Sequence, residues 1–150
     1  MTRRAHRLLA ASSLLLAGAG FAANAGASAS LYDRLGGEPG VAAIASSLID
    51  RASSDPKLAG QFKNSNLGRI KHLLAEQICD LSGGPCTYSG DSMREVHAGH
   101  HISQADFYTM VQDLRDILKA RHVSQGAANE LLRLLAPMKR DVVEPADAVP

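Results

Sequence analysis

Histidine is the side chain through which this sequence could do most chemistry. Five of its six histidines lie beyond residue 30: His72, His97, His100, His101 and His122. Three crowd into one short stretch, His97-Ala98-Gly99-His100-His101. A neutral imidazole nitrogen suits iron, copper and zinc. His97 has the most distinctive setting. It ends a short helical run whose other inward residues, Met93 and Val96, are apolar, so its ring points into a slot between helices. His100 and His101 follow a glycine and belong to the surface. The trio His97, His100 and His101 also defines a different possibility, a copper or zinc site with no prosthetic group. Gly99 counts against it, because it weakens the helix that would bring such ligands together. There is no Cys-x-x-Cys-His, which excludes covalently attached c-type haem.

Other chemistries lack their parts. No Ser/His/Asp or Cys/His set suggests a nucleophile. Gly83-Gly84 follows a helix instead of opening one, so it is no phosphate cradle. A net charge of +1 and the absence of tryptophan exclude a strongly basic or base-stacking nucleic-acid binder. Two cysteines are too few for a disulfide scaffold and wrongly spaced for a zinc ribbon. Cys79 and Cys86 flank a helix end and the Ser82–Pro85 turn, and two readings stay open. A disulfide would staple helix to loop and contribute roughly 2–3 kcal/mol. Otherwise Cys79 is a small buried hydrophobe and Cys86 a loop thiol, if the helix holds them too far apart.

The elements that must position these residues read as helices. The chain has 150 residues, 45% of them hydrophobic and 21% charged, enough for one packed domain. Asp33–Gly37 reads as a turn, and Glu38-Pro39 opens a helix. Val41, Ile44, Ala45, Leu48 and Ile49 then repeat with helical spacing as far as Ala52. A second stripe, Leu67, Ile70, Leu73, Leu74 and Leu81, ends at Ser82-Gly83-Gly84-Pro85. Ser92 caps the short run that holds His97. Ser103-Gln104-Ala105-Asp106 is a capping box ahead of Phe107, Met110, Val111, Leu114, Ile117 and Leu118. Ser124 caps the last stripe, which ends at Met138. No strand alternation and no internal repeat occur. The expectation is an all-α domain of about five helices.

The first residues belong to a different category. Arg3, Arg4 and Arg7 precede an apolar run from Leu8 to Ala22, and Ala23-Asn24-Ala25 and Ala27-Ser28-Ala29 are small-residue cleavage patterns. This is the form of a secretory signal peptide. The run is interrupted by serines and glycines and is short for a membrane span of ~20 residues. Thr2-Arg3-Arg4 with Leu8 is compatible with twin-arginine as well as general secretory export. The expected division is a cleaved signal over 1–29, a folded domain over 30–143 and a disordered tail over 144–150. Removing the three arginines leaves 13 basic against 15 acidic residues, a net of −2. The expected compartment is the periplasm, which is oxidising. No membrane attachment is expected after cleavage.

Several motifs together resemble the group I truncated haemoglobins. They are Leu31-Tyr32-Asp33-Arg34-Leu35-Gly36-Gly37, Gly83-Gly84-Pro85-Cys86-Thr87-Tyr88-Ser89-Gly90, Met93-Arg94-Glu95-Val96-His97-Ala98-Gly99, Ile102-Ser103 and Leu135-Ala136-Pro137-Met138-Lys139-Arg140-Asp141-Val142. The resemblance implies a globin-like, truncated two-over-two helical sandwich around non-covalent haem b. It makes His97 the proximal iron ligand. The other ring N–H of His97 should then bond a carbonyl in the preceding turn. It places Phe62 on the porphyrin face and Met93 beside it. Arg69, Lys71 and Arg94 become candidates for the propionates, and Tyr88 for the haem edge. Small diatomic gases (O2, NO, CO) become the expected ligands, with oxygen transport or a redox role, and a redox partner protein, as further implications.

The distal side departs from the family pattern. The family's distal tyrosine falls on Ile49, and its other distal positions fall on Ile70 and Leu74. Bound dioxygen gathers negative charge, and a hydrogen-bond donor stabilises it. Such a bond contributes roughly 1.5–3 kcal/mol, so without one dioxygen leaves ~10–100-fold faster. Long-term oxygen storage and nitric oxide dioxygenation are therefore disfavoured. Sensing, electron transfer and peroxidase-like turnover stay compatible. Gln77 could reach inward as a donor. A one-residue slip would instead bring His72 over the iron as a second axial ligand. A globin-shaped module that has lost haem is disfavoured by His97, Phe62 and Met93.

Overall fold

The computed structural model describes residues 29–144. Nearly all of the signal segment, and the tail beyond Glu144, lie outside the described residues. Each long helix but one starts at a polar residue placed just ahead of an apolar stripe. The Asn66 side chain accepts from the Arg69 N–H at 3.0 Å and opens α3, Leu67–Leu81. Ser92 and Glu95 form a reciprocal capping box at the start of α4, Met93–His97. Ser103 and Asp106 do the same for α5, Gln104–Ala120. Ser124 accepts from the Ala127 N–H and opens α6, Gln125–Leu135. These caps satisfy backbone donors that a helix end leaves bare.

The exception is α2, Gly37–Ser54, which no side chain caps. Gly36 precedes it at φ 98, a left-handed conformation suited to glycine. One turn on, Gly40 lies so close to the chain that a Cβ there would sit 2.1 Å from the Leu35 carbonyl oxygen. This tight corner lets α1, Leu31–Arg34, fold back beside α2. The sequence reading placed only a turn over Asp33–Gly37. The structure begins a helix at Leu31 because Ser30 and Asp33 form their own capping box.

The helices stack as two pairs. α2 lies along α3, α5 meets α6, and α2 on α5 joins the pairs. Ile44 and Leu48 of α2, Ile78 of α3, Leu114 and Leu118 of α5 and Leu131 of α6 fill the shared core. Their spacing is the 3.6-residue periodicity visible in the sequence. No strand occurs among the described residues. Among the described residues the five expected helices are present, and four short segments accompany them. Two are 3-10 turns, Ala59–Phe62 and Ala136–Met138, and the other two are α1 and α7, Lys139–Val142. Such short pieces carry no readable period and depend on neighbours. No described helix is long and apolar enough to cross a membrane.

Cys79 and Cys86 form a disulfide, with Cα atoms 5.7 Å apart. The chain reaches this distance because Gly83, at φ 80, reverses it just after α3. Gly84 then donates its N–H to the Cys79 carbonyl at 2.8 Å. The loop beyond is tied to the same helix twice more. Tyr88 N–H donates to Asp80, and Ser89 donates to Glu76 through both its N–H and its hydroxyl.

Candidate haem site

Burial changes along α3 and α5 in the same sense. Gln77, Ile78 and Cys79 are buried at the C-terminal end of α3, and Leu114, Ile117 and Leu118 at that of α5. Ile70 and Leu74 on α3, and Phe107 and Met110 on α5, stay half-buried. The apolar stripes thus continue past the point where the core closes. Phe62 and Met93 are half-buried as well, and Val96 on α4 is exposed at 39%. Apolar side chains left partly uncovered on four elements, α3, α5, α4 and the Ala59–Phe62 turn, suit a flat apolar group better than bulk water. Two open surface hollows lie elsewhere, about 340 Å³ beside Gly36, Gly40 and Arg121 and about 450 Å³ beside Pro137 and Val143. Neither includes His97.

His97 ends α4, and its Nδ1 lies 2.8 Å from the Met93 carbonyl oxygen. A carbonyl can only accept, so Nδ1 carries the proton and Nε2 keeps its lone pair. This is the bond to the preceding turn that a metal-binding imidazole uses to fix its tautomer. Burial pushes the His97 pKa below its usual range; the Met93 bond opposes this, and His100 adds to the lowering. The ring is therefore neutral at neutral pH. The donor set fits haem iron, which takes a neutral imidazole nitrogen.

The other histidines do not join His97. His100 bonds Gln61 through Nδ1 at 3.1 Å. His101 Nδ1 lies 2.9 Å from a Glu144 carboxylate oxygen. Among the described residues, no three His, Cys, Asp or Glu side chains are grouped to hold a metal ion. The haem-free copper or zinc alternative is thus not favoured. His72 is 72% exposed, with Nε2 3.0 Å from Glu76. Its position, two residues from both Ile70 and Leu74, turns it about 200° around α3 from their face.

The remaining sequence candidates divide clearly. Ile49 is buried at 3% exposure but stands outside the main core cluster. Gln77 is buried at 7% exposure, one turn on from Leu74. Lys71 pairs with Asp50, and Arg94 pairs with Asp141. Arg69 is exposed and has no acidic partner among the described residues. Tyr88 folds over Gly90, where a Cβ would come within 2.3 Å of its hydroxyl. That hydroxyl donates to the Asp91 carbonyl at 2.9 Å. Burial, then the charges of Asp91 and Glu76, raise its pKa. Sequence reasoning missed Gln61, Glu144 and the half-covered Phe107. For Phe107 the α5 stripe was a signal; for Glu144 nothing local was.

An all-helical two-layer stack, with a backbone-oriented histidine and a series of half-covered apolar side chains, has the form of the globin class. The match to the bacterial-like globin family covers residues 30–144, and the chain belongs to that family. It is 32% identical to the group 1 truncated hemoglobin GlbN of Mycolicibacterium paratuberculosis, over 76% of this chain and 84% of that protein. The fold is that of a truncated hemoglobin crystal structure from Tetrahymena pyriformis in the Fe(III) form. That likeness has a TM-score of 0.73 at 24% identity and covers 78% of this chain and all (100%) of that one. The 2/2 hemoglobin of Synechococcus sp. is similar too, with a TM-score of 0.71 at 23% identity, covering 77% of this chain and 98% of that one. Family membership implies haem as the cofactor and a role in haem-based ligand binding.

Proposed function

We propose that this chain is an exported haem b protein that binds small diatomic gases through His97 and holds dioxygen weakly. The observation that carries the proposal is the His97–Met93 bond. It fixes the tautomer with a free lone pair on Nε2, the atom an axial ligand needs. When bound, the haem supplies an iron site for O2, NO or CO. The chain's residues do the rest. Phe62, Ile70, Leu74 and Met93 offer apolar surface to the macrocycle and exclude water. Arg69 is the cation left for a propionate, because Lys71 and Arg94 already have acidic partners. Tyr88, held over Gly90 by its bond to Asp91, borders the edge. Ile49, Ile70 and Leu74 bring no hydrogen-bond donor. Gln77, buried one turn on from Leu74, is the candidate donor nearest that face of α3 among the described residues. His72 has no part in this reading, since it sits among solvent and Glu76.

The absence of a donor at Ile49, Ile70 and Leu74 favours sensing or electron exchange over storage. A redox partner protein is compatible with this, and a dioxygenase role is not favoured. The disulfide supports the export reading, since such bonds persist in oxidising compartments.

The deciding experiment is the absorption spectrum of the haem-reconstituted mature protein, ferric and then dithionite-reduced. A sharp Soret band at one haem per chain is expected, with a five-coordinate ferrous form. A six-coordinate low-spin ferrous form would restore His72 as a ligand. His97→Ala should lose the axial signature; an unchanged spectrum would overturn the assignment. For export, mass spectrometry of the protein from its host should show an N-terminus near Ser30, and one at Met1 would sink that reading.

A further inference from the structure

The helix that carries His97 has little to lean on. α4 has five residues, too few for its internal hydrogen bonds to hold it. Its main neighbour is no long helix but α7, near the end of the described chain. Arg94 of α4 pairs with Asp141 of α7. Just past α4 the chain reverses sharply. Gly99 stands at φ 76 and His101 at φ 50. A histidine at positive φ is uncommon and needs surrounding contacts to hold it.

One carboxylate grips both ends of that reversal. Gly99 N–H donates to Glu144 Oε1 at 2.7 Å. His101 Nδ1 meets Glu144 Oε2 at 2.9 Å. Glu144 also donates its own N–H to the Ile102 carbonyl at 3.1 Å. Three contacts from one residue thus converge within five positions of His97. Among the described residues Glu144 makes no hydrogen bond or ion pair to His97 or Met93, so its proposed effect on the ligand passes through the backbone.

We propose that Glu144 is a positioning residue for the proximal ligand. By closing the Gly99–His101 reversal, with Asp141 holding Arg94, it sets how α4 sits and so how His97 Nε2 is aimed. The inference rests on His97 as the axial ligand. It adds that a residue 47 positions away in sequence tunes the bond His97 would make. Charge-assisted hydrogen bonds are short and directional, which suits a device that fixes orientation.

The test uses the full haem-loaded chain in its ferrous form, with two readouts. Resonance Raman reports the iron–histidine stretching band, and transfer of haem to apomyoglobin reports haem loss. Glu144→Ala should shift the band and speed haem loss by about tenfold, the equivalent of one lost charge-assisted bond. Glu144→Gln keeps an acceptor for Gly99 N–H and should restore most of both. An unshifted band in Glu144→Ala overturns the proposal, even with faster haem loss, since that would be support without aim. A Glu144→Gln chain as impaired as Glu144→Ala also overturns it. Should Glu144→Ala fail to fold, His101→Ala removes half of the grip, and an unshifted band there decides against the proposal. The His97→Ala spectrum separates the two levels: if it is altered while Glu144→Ala is silent, only the positioning role falls.

Discussion

The two walls of the proposed haem site are built in opposite ways. The distal wall is α3, fifteen residues long, capped by Asn66 and packed through Ile78 and Cys79 into the main core. A disulfide and three hydrogen-bonded ties clamp the next loop to it. The proximal wall is α4, five residues with none buried, held by Arg94–Asp141 and the contacts of Glu144. Apolar burial is non-directional and insensitive to single polar changes. Polar clasps are directional and can be undone one at a time. In the proposed site, the wall facing the gas would thus rest on apolar packing and a disulfide, and the wall carrying His97 on a few polar contacts.

Breaking the staple tests the rigid wall most severely. Replacing both Cys79 and Cys86 by serine should lower unfolding stability by roughly 2–3 kcal/mol in urea titrations. The iron–histidine band should not move, because α4 does not depend on this bond. A shifted band would mean that the two walls are coupled and the contrast is false.

A smaller effect, on ligand release alone, is expected inside the pocket. Ile49→Tyr places a hydroxyl where the buried isoleucine now stands. Dioxygen release should slow by about 10–100-fold, with carbon monoxide much less affected. Stopped-flow displacement would measure this. An unchanged off-rate would show that the apolar lining is not what limits dioxygen binding.

The smallest effect is on acid stability. Glu95, Glu76 and Glu144 all have carboxyls held below their ordinary value of 4.5. For Glu95 the cause is the Ser92 hydroxyl and then its N–H, and for Glu76 the same groups of Ser89. For Glu144, burial pushes upward but the bonds from His101 and Gly99 outweigh it. A carboxyl lowered by folding stabilises the protein above its unfolded pKa and loses that contribution as pH falls through the folded one. Melting temperature should therefore decline below about pH 4.5. Glu95→Gln should flatten that decline. An identical acid limb in the variant would show that this cap contributes nothing to the proximal wall.

Much of the helical framework was legible in the chain itself. The stripes that build α2, α3 and α5 recur every three or four residues, and Asn66, Ser92, Ser103 and Ser124 stand where caps belong. His97 stands out in the sequence too, as an imidazole ending an apolar run at the position the family resemblance gives to the axial ligand. The proximal support was not. Glu144 was read as the start of a disordered tail, yet it binds Gly99, His101 and Ile102. Nothing near Glu144 in sequence signals this, since its partners lie more than forty positions upstream. The cysteine pair stood undecided because separation along a helix end says little about distance in space; the turn at Gly83 closed the gap.

The helical stripes, their caps, the apolar character of Ile49, Ile70 and Leu74, and the histidine proposed to ligate can all be read from the order of residues. Those properties are local, set by periodicity and by neighbours within one or two turns. The pairing of Lys71 and Arg94, the exposure of His72, the meeting of the cysteines and the packing of α7 on α4 emerge from the folded chain alone. These are meetings between distant segments. They follow from how the helix pairs stack, which no stretch of fifteen residues contains.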